Sequence, residues 1–304
     1  MEVCRVRWRP SRSIQVEDRR GQGGGGLGGM RMGGLGGGGI PIPVGGGLSG
    51  IVLIIIIIVV VNFLGGGTGG LGGLGGGTPG GPATSLDPND TSGQFVNAVT
   101  VDVQAFWEDY FASANKDYPE TVTVLFTDQT QSGCGVASSA TGPFYCPADQ
   151  KVYLDTGFFD ELRTRFGAPG EFAQAYVIAH EFGHHVQDAL GIMGQVQQQQ
   201  GSGNANDLSI RLELQADCLA GMWANFVSEH PDQSDVESIT DKDVQDAINA
   251  AQSVGDDRIQ EQATGRIDRD SWTHGSADQR AKWFNTGFKQ GTTGACDTFA
   301  VQSP

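Results

Sequence analysis

The chain has 304 residues, 48 of them glycine, and a formal net charge of −16. Of these glycines, 29 fall between residues 21 and 82, in sequence with few side chains to bury and a large entropy loss on ordering, so the globular body is confined to the roughly 220 residues that follow. Glycine does not recur at every third position, which excludes a collagen triple helix, and an acidic body argues against wholesale binding to nucleic acid or anionic lipid.

The charge is split along the chain. Residues 1–50 hold seven arginines against three acids, a net of +4, which leaves −20 for the rest. Residues 48–64 read LSGIVLIIIIIVVVNFL, and no charge occurs between Arg31 and Asp87. As a helix of about 25 Å this run is just long enough to span a bilayer core. Arginines precede it and acids follow it. By the positive-inside rule this predicts a single-pass membrane protein of the bacterial cytoplasmic membrane, with the N-terminus cytoplasmic and the body outside. The expected organisation is therefore a cytoplasmic, arginine-containing, Gly-rich tail (1–47), a transmembrane helix (48–64), a Gly-rich linker (65–94) and a folded domain (95–304). Cys4 falls on the reducing side of that arrangement. Cys134, Cys146, Cys218 and Cys296 fall where disulfides persist. Four cysteines allow three pairings. The short loop flanked by Gly133 and Gly135 favours Cys134–Cys146, and Cys218–Cys296 would then tie the C-terminal tail to a helix. Cys218 also reads as a simple buried thiol.

In the body, apolar residues from Val96 to Phe111 recur near helical spacing. Thr121–Phe126 and Gln150–Leu154 read as strands. A helix is predicted from Glu171 to Leu190, with Gly191 as its stop, and the polar segment 192–207 reads as a connection. A second helix runs from Ser209 to Val227, with Asp207 available to cap it. A third starts near Thr240 and ends at Gly255. A fourth starts at Ser276, where Ser276 and Gln279 form a capping box, and stops at Gly287. The fold expected is α+β, mainly helical, with a small sheet.

The first of these helices carries His180-Glu181-Phe182-Gly183-His184. Four residues are about one helical turn, so both imidazoles face the same way and can hold one Zn²⁺. Glu181 cannot easily ligate with them but can reach a water on the metal. His185 has no second histidine one turn away and reads as a supporting, core or surface residue. A third ligand is needed, and a histidine six residues after His184 is absent, since Leu190 stands there. Glu213 on the next helix supplies one. Asp217, one turn on, can accept the free ring N–H of a ligand histidine. A solvated acidic face is the plain alternative, and the apolar neighbours Leu212, Leu214, Ala216, Leu219 and Ala220 weaken it.

These residues carry a resemblance. H-E-x-x-H followed by a helix with E-x-x-A-D resembles the gluzincin metallopeptidases of the membrane-associated prenyl-protein and heat-shock peptidase type. Those proteins also carry a later histidine followed six residues on by arginine. Here these are His274 and Arg280, with Gly275-Ser276 where that group has Pro-Pro. More closely, the chain resembles the bacterial putative neutral zinc metallopeptidase family. The likeness runs through Arg7-Trp8-Arg9, Val16–Gly21, Gly142–Lys151, Ala179–Gln187, Leu212–Cys218 and Gly294–Phe299. It implies His180, His184 and Glu213 as ligands of one zinc ion and Glu181 as general base, and it implies no particular substrate.

The function expected is a membrane-anchored zinc metallopeptidase, an endopeptidase acting on proteins or peptides, with no nucleic-acid partner. A zinc-activated water attacks the peptide carbonyl, with Glu181 taking its proton. His274 is the candidate second electrophile, and a helix-flanking surface histidine is the competing reading. Arg280 would orient His274 or make a salt bridge. Lys151–Leu154 is either an edge strand that pairs with substrate backbone or an interior strand. Segment 192–207 reads as a solvated loop rather than a lid. The alternative function is a non-catalytic, zinc-containing, membrane-anchored binding or scaffold protein, against which the presence of Glu181 argues.

Overall fold

The computed structural model describes residues 6–11, 13–21, 86–199 and 205–304. The glycine tracts, the apolar run 48–64, the expected transmembrane helix and Cys4 lie outside these residues. No helix among the described residues is long and apolar enough to cross a membrane.

The architecture is α+β and mainly helical, as expected. It starts earlier in the chain than the predicted boundary at residue 95. Strand β1 (Arg7–Trp8) pairs antiparallel with β8 (Val236–Ser238). Strand β2 (Val16–Asp18) is the outer member of the central sheet, parallel to β3 (Thr123–Phe126), which is parallel to β7 (Lys151–Asp155). Strand β6 (Phe144–Cys146) completes the order β2-β3-β7-β6 and runs antiparallel to β7. Ion pairs lock the N-terminal segment down. Glu17 meets Arg19 and Lys151, each at 2.8 Å, and Arg20 bridges Asp18 and Asp90. The Trp8 ring packs edge-on to Phe95. Residues 6–21 are therefore part of the folded domain and not a separate tail. The flanks of segment 22–85 belong to one body.

Alternation along the strands sorts the two faces of the sheet. Leu125, Val152 and Leu154 join the main helical core, while Val124, Phe126 and Tyr153 pack with Ala137 beneath the hairpin β4 (Gln129–Ser132) and β5 (Gly135–Ser138). The Cys134–Cys146 disulfide fastens the hairpin to β6. The second expected disulfide, Cys218–Cys296, also forms.

Helix α1 (Thr91–Ser113) begins five residues before the periodicity predicts, because the Asp90 side chain caps it by accepting from the Gly93 amide. Helix α2 (Thr156–Thr164) follows β7, and α3 (Glu171–Ala189) is the helix expected there. Part of the expected loop is helical instead. Residues Ile192–Gln199 form α4, in keeping with the good helix propensity of glutamine. Helix α5 (Ala205–Glu229) is longer than predicted at both ends. Asp207 lies inside its first turn, where it pairs with Arg211 at 2.7 Å rather than capping. Helix α6 (Asp241–Ser253) starts at the Thr240 cap. That helix ends at the Val254 cap just before Gly255, as predicted, and Gly255 also opens α7 (Asp256–Thr264), which was not foreseen.

Helix α8 (Ala277–Gln290) has the predicted capping box, yet it runs through Gly287 and ends at Gly291. Gly287 is there for space. A Cβ on it would lie 1.9 Å from the Cys218 carbonyl oxygen, and one on Gly221 would lie 2.1 Å from that of Phe284. Helices α5 and α8 thus touch backbone to backbone. Gly183 plays a similar part between α3 and α5, where its Cβ would stand 3.0 Å from the Ala216 Cα and carbonyl oxygen.

Candidate metal centre

Those close approaches build the site. Gly183 lies between His180 and His184 on α3, and Ala216 lies between Glu213 and Asp217 on α5. With only a glycine and an alanine between the helices at that level, Glu213 reaches both imidazoles. Its Oε2 lies 3.3 Å from His180 Nε2 and its Oε1 lies 3.4 Å from His184 Nε2. One donor atom from each of the three residues falls within 4.8 Å of the others. Zn²⁺ bound at about 2.0–2.1 Å by nitrogen and oxygen needs tetrahedral ligand–ligand spacings of about 3.3–3.4 Å. Each imidazole stands at that spacing from one of the two Glu213 oxygens, and the donor types suit zinc, so the residues fit the metal.

The back of the site is buried and charged. Asp217, fully buried, accepts hydrogen bonds from His180 Nδ1 at 2.9 Å and from the Tyr176 hydroxyl at 2.5 Å. It also receives Arg280 through Nε at 2.8 Å and Nη2 at 2.9 Å. Burial alone would raise the Asp217 pKa, but the charges of Arg280 and His180 and their hydrogen bonds hold it below the usual aspartate range. His180 moves the other way. Burial disfavours its cation, yet Asp217 and Glu213 outweigh this and push its pKa up to about 9. Of the two readings of Arg280, the salt bridge holds, and its partner is Asp217.

The second histidine of the cluster is backed differently. His184 Nδ1 faces the Gln187 side-chain oxygen at 2.9 Å. Glu181 lies beside the cluster with 6% of its surface exposed, and burial raises its pKa against the lowering influence of His180 and His184. His185 is a core residue, bonded to the Tyr145 hydroxyl at 3.1 Å and the Pro119 carbonyl at 2.5 Å.

His274 is not a free surface histidine. Its side chain is 21% exposed, and Nδ1 pairs with Asp256 Oδ1 at 3.1 Å. The other Asp256 oxygen accepts from the backbone amides of Thr273, His274 and Gly275. Burial opposes the charged ring, but the Asp256 hydrogen bond and the charges of Glu213 and Asp256 raise its pKa above the ordinary value. His274 and Glu213 are thus close enough to couple electrostatically.

Sequence reasoning missed Tyr176, Gln187, Gln215 and Asp256. Tyr176 and Gln187 carry a signal, since they stand one helical turn from His180 and His184 respectively. Asp256 carries none, because its helix was not foreseen. Lys151–Asp155 is interior, between β3 and β6, so of its two readings the interior strand holds.

The chain matches the family described as putative neutral zinc metallopeptidase over residues 6–299. It is 52% identical over 182 residues to the uncharacterized protein Rv2575 of Mycobacterium tuberculosis, covering 58% of this chain and 61% of that protein. It is 43% identical over 219 residues to the uncharacterized protein YpfJ of Escherichia coli K12, covering 71% and 74% respectively. The matched region spans about three fifths of the length of the mycobacterial relatives. No solved structure matches the chain.

Proposed function

We propose, from the premise that this chain belongs to the putative neutral zinc metallopeptidase family, that it is a zinc endopeptidase acting on proteins or peptides. The observation that carries the reading is the convergence of His180, His184 and Glu213 at zinc-ligand spacing, with Glu181 beside them. A structural zinc site has no use for a buried carboxyl at that position.

His180, His184 and Glu213 would hold the Zn²⁺, which when bound would supply Lewis acidity to a peptide carbonyl and to a water. Glu181 is placed to take a proton from the attacking water and return it to the leaving amine, and burial raises its pKa above the ordinary carboxyl value. His274, held by Asp256 and favoured as its cation, donates a hydrogen bond to the oxygen that gains charge at the carbonyl. Asp217 and Gln187 hold the ligand rings in place. Substrate backbone would add to the sheet at β6. That strand ends the order β2-β3-β7-β6, and α3 packs near it through the Tyr145–His185 and Tyr145–Asp188 contacts.

Membrane attachment through residues 48–64 belongs to the proposal in altered form. Strands β1 and β2 precede that run, and both are paired within the body that holds the site. A single crossing with the N-terminus cytoplasmic and the body outside would pull β2 out of its sheet. Residues 6–21 and the site therefore share one compartment, and the two disulfides favour the extracytoplasmic one.

The test is zinc-dependent cleavage of casein by the full chain, compared with Glu181→Gln, with zinc content measured in both. Cleavage by the wild type, and its loss in the variant at equal zinc content, is the expected result. Full activity in Glu181→Gln would remove the assigned base, and no cleavage by zinc-loaded wild type would favour a non-catalytic role.

A further inference from the structure

A chain of side-chain amides runs from the second ligand histidine to the C-terminal disulfide. The Gln187 oxygen faces His184 Nδ1 at 2.9 Å. Its nitrogen donates to the Leu212 carbonyl at 2.8 Å and to the Gln215 side-chain oxygen at 3.0 Å. The Gln215 nitrogen then donates to the Cys296 carbonyl at 3.1 Å. Gln187 is fully buried and Gln215 nearly so, which leaves little water to substitute for any member.

The direction of this chain is not arbitrary. An amide side chain can present either its oxygen or its nitrogen to a neighbour, whereas a backbone carbonyl only accepts. The Cys296 carbonyl compels Gln215 to turn its nitrogen outward and its oxygen toward Gln187. The Leu212 carbonyl and that oxygen together compel Gln187 to turn its nitrogen toward them. The Gln187 oxygen is then left facing Nδ1, and an oxygen there requires a proton on Nδ1. A neutral His184 consequently keeps its lone pair on Nε2, the atom 3.4 Å from Glu213.

We infer that Gln187 and Gln215 are positioning residues that set the tautomer of His184 for metal binding, with their polarity dictated by the Leu212 and Cys296 carbonyls. The Cys218–Cys296 disulfide holds the last acceptor of this relay against α5, the helix that also carries Gln215 and Glu213. The two ligand histidines are thus prepared in different ways. His180 is backed by a buried, ionised carboxylate, and His184 by a neutral relay that adds no charge to the site.

The inference rests on the reading of His184 as a zinc ligand, and the experiment separates the two. Zinc affinity is measured by chelator competition for the full chain and for Gln187→Leu, Gln187→Glu and Gln215→Leu. The neutral His184 tautomer is read from its ring ¹⁵N shifts in the metal-free proteins. Gln187→Leu is expected to bind zinc about 10–100-fold more weakly and to lose the uniform Nδ1–H form. Gln215→Leu is expected to show a smaller loss, because Leu212 still orients Gln187. Gln187→Glu keeps an acceptor at Nδ1 and is expected to retain the tautomer. Wild-type affinity and an unchanged tautomer in Gln187→Leu would overturn the inference. So would loss of the Nδ1–H form in Gln187→Glu, which keeps the acceptor at Nδ1. A wild-type chain that binds no zinc would instead overturn the ligand assignment itself.

Discussion

Replacing Arg280 by methionine tests the charged network behind the site. Arg280 is 4% exposed and Asp217 is fully buried, and two hydrogen bonds of 2.8 and 2.9 Å join them. Removing one member of such a pair strands the other charge at a cost of about 3–5 kcal/mol. The remaining donors to Asp217 are the Tyr176 hydroxyl and His180, whose pKa of about 9 makes it a cation at neutral pH. That partial compensation places Arg280→Met near the lower end, about 3 kcal/mol. Denaturant unfolding at pH 7 with a chelator present reads this loss without a metal contribution. Asp217→Leu combined with Arg280→Met removes both charges and should lose far less than the two single variants summed. A single-variant loss below about 0.5 kcal/mol, or additive losses within that margin, would refute the coupling.

Three further outcomes follow from the structure. Tags placed before residue 6 and after residue 304 should show the same sensitivity to added protease in intact cells, because β2 and the metal centre share one sheet-bearing body; opposite sensitivities would mean that β2 is not paired in the cell. Gly183→Ala should destabilise the chain by about 1–3 kcal/mol, since its Cβ would press on Ala216, and Gly287→Ala should cost at least as much, since its Cβ would sit on the Cys218 carbonyl; thermal melts of both variants check this. Zinc binding at pH 7 should displace about one proton from His180, so the logarithm of the apparent affinity should rise by about one per pH unit from 7 towards 9. Calorimetry in buffers of different ionisation enthalpy reads this proton, and a buffer-independent enthalpy would count against it.

Much of the site was legible because helical spacing is local. His180 and His184, and Glu213 and Asp217, are pairs one turn apart, so each pair shares a face whatever surrounds it. Local pattern also reached the Ser276 capping box, and the short Gly-flanked loop between Cys134 and Cys146 led to both disulfides. It failed where a residue type serves two purposes. Gly255 ends one helix as read but also opens another, and Gly287, read as a stop, instead lets α5 and α8 touch. It failed again at the N-terminus. Two- and three-residue strands carry no periodicity, and the basic charge of that segment suggested a membrane signal where the fold uses Arg19 and Arg20 in ion pairs.

By itself the sequence singled out the candidate donors His180, His184 and Glu213, their helical placement, the Glu181 neighbour and the family resemblance. It also showed that the excess glycine is confined to residues 21–82 and so sets off the body that holds the site. Tertiary structure alone decided three things. It brought the helix of His180 and His184 against the helix of Glu213, at a separation that only small residues at positions 183 and 216 permit. It assigned Arg280 to Asp217, and Asp256 to His274. It also returned residues 6–21 to the sheet across the glycine-rich region. Each of these is a contact between residues far apart in the chain, and its existence depends on backbone packing that local pattern does not encode.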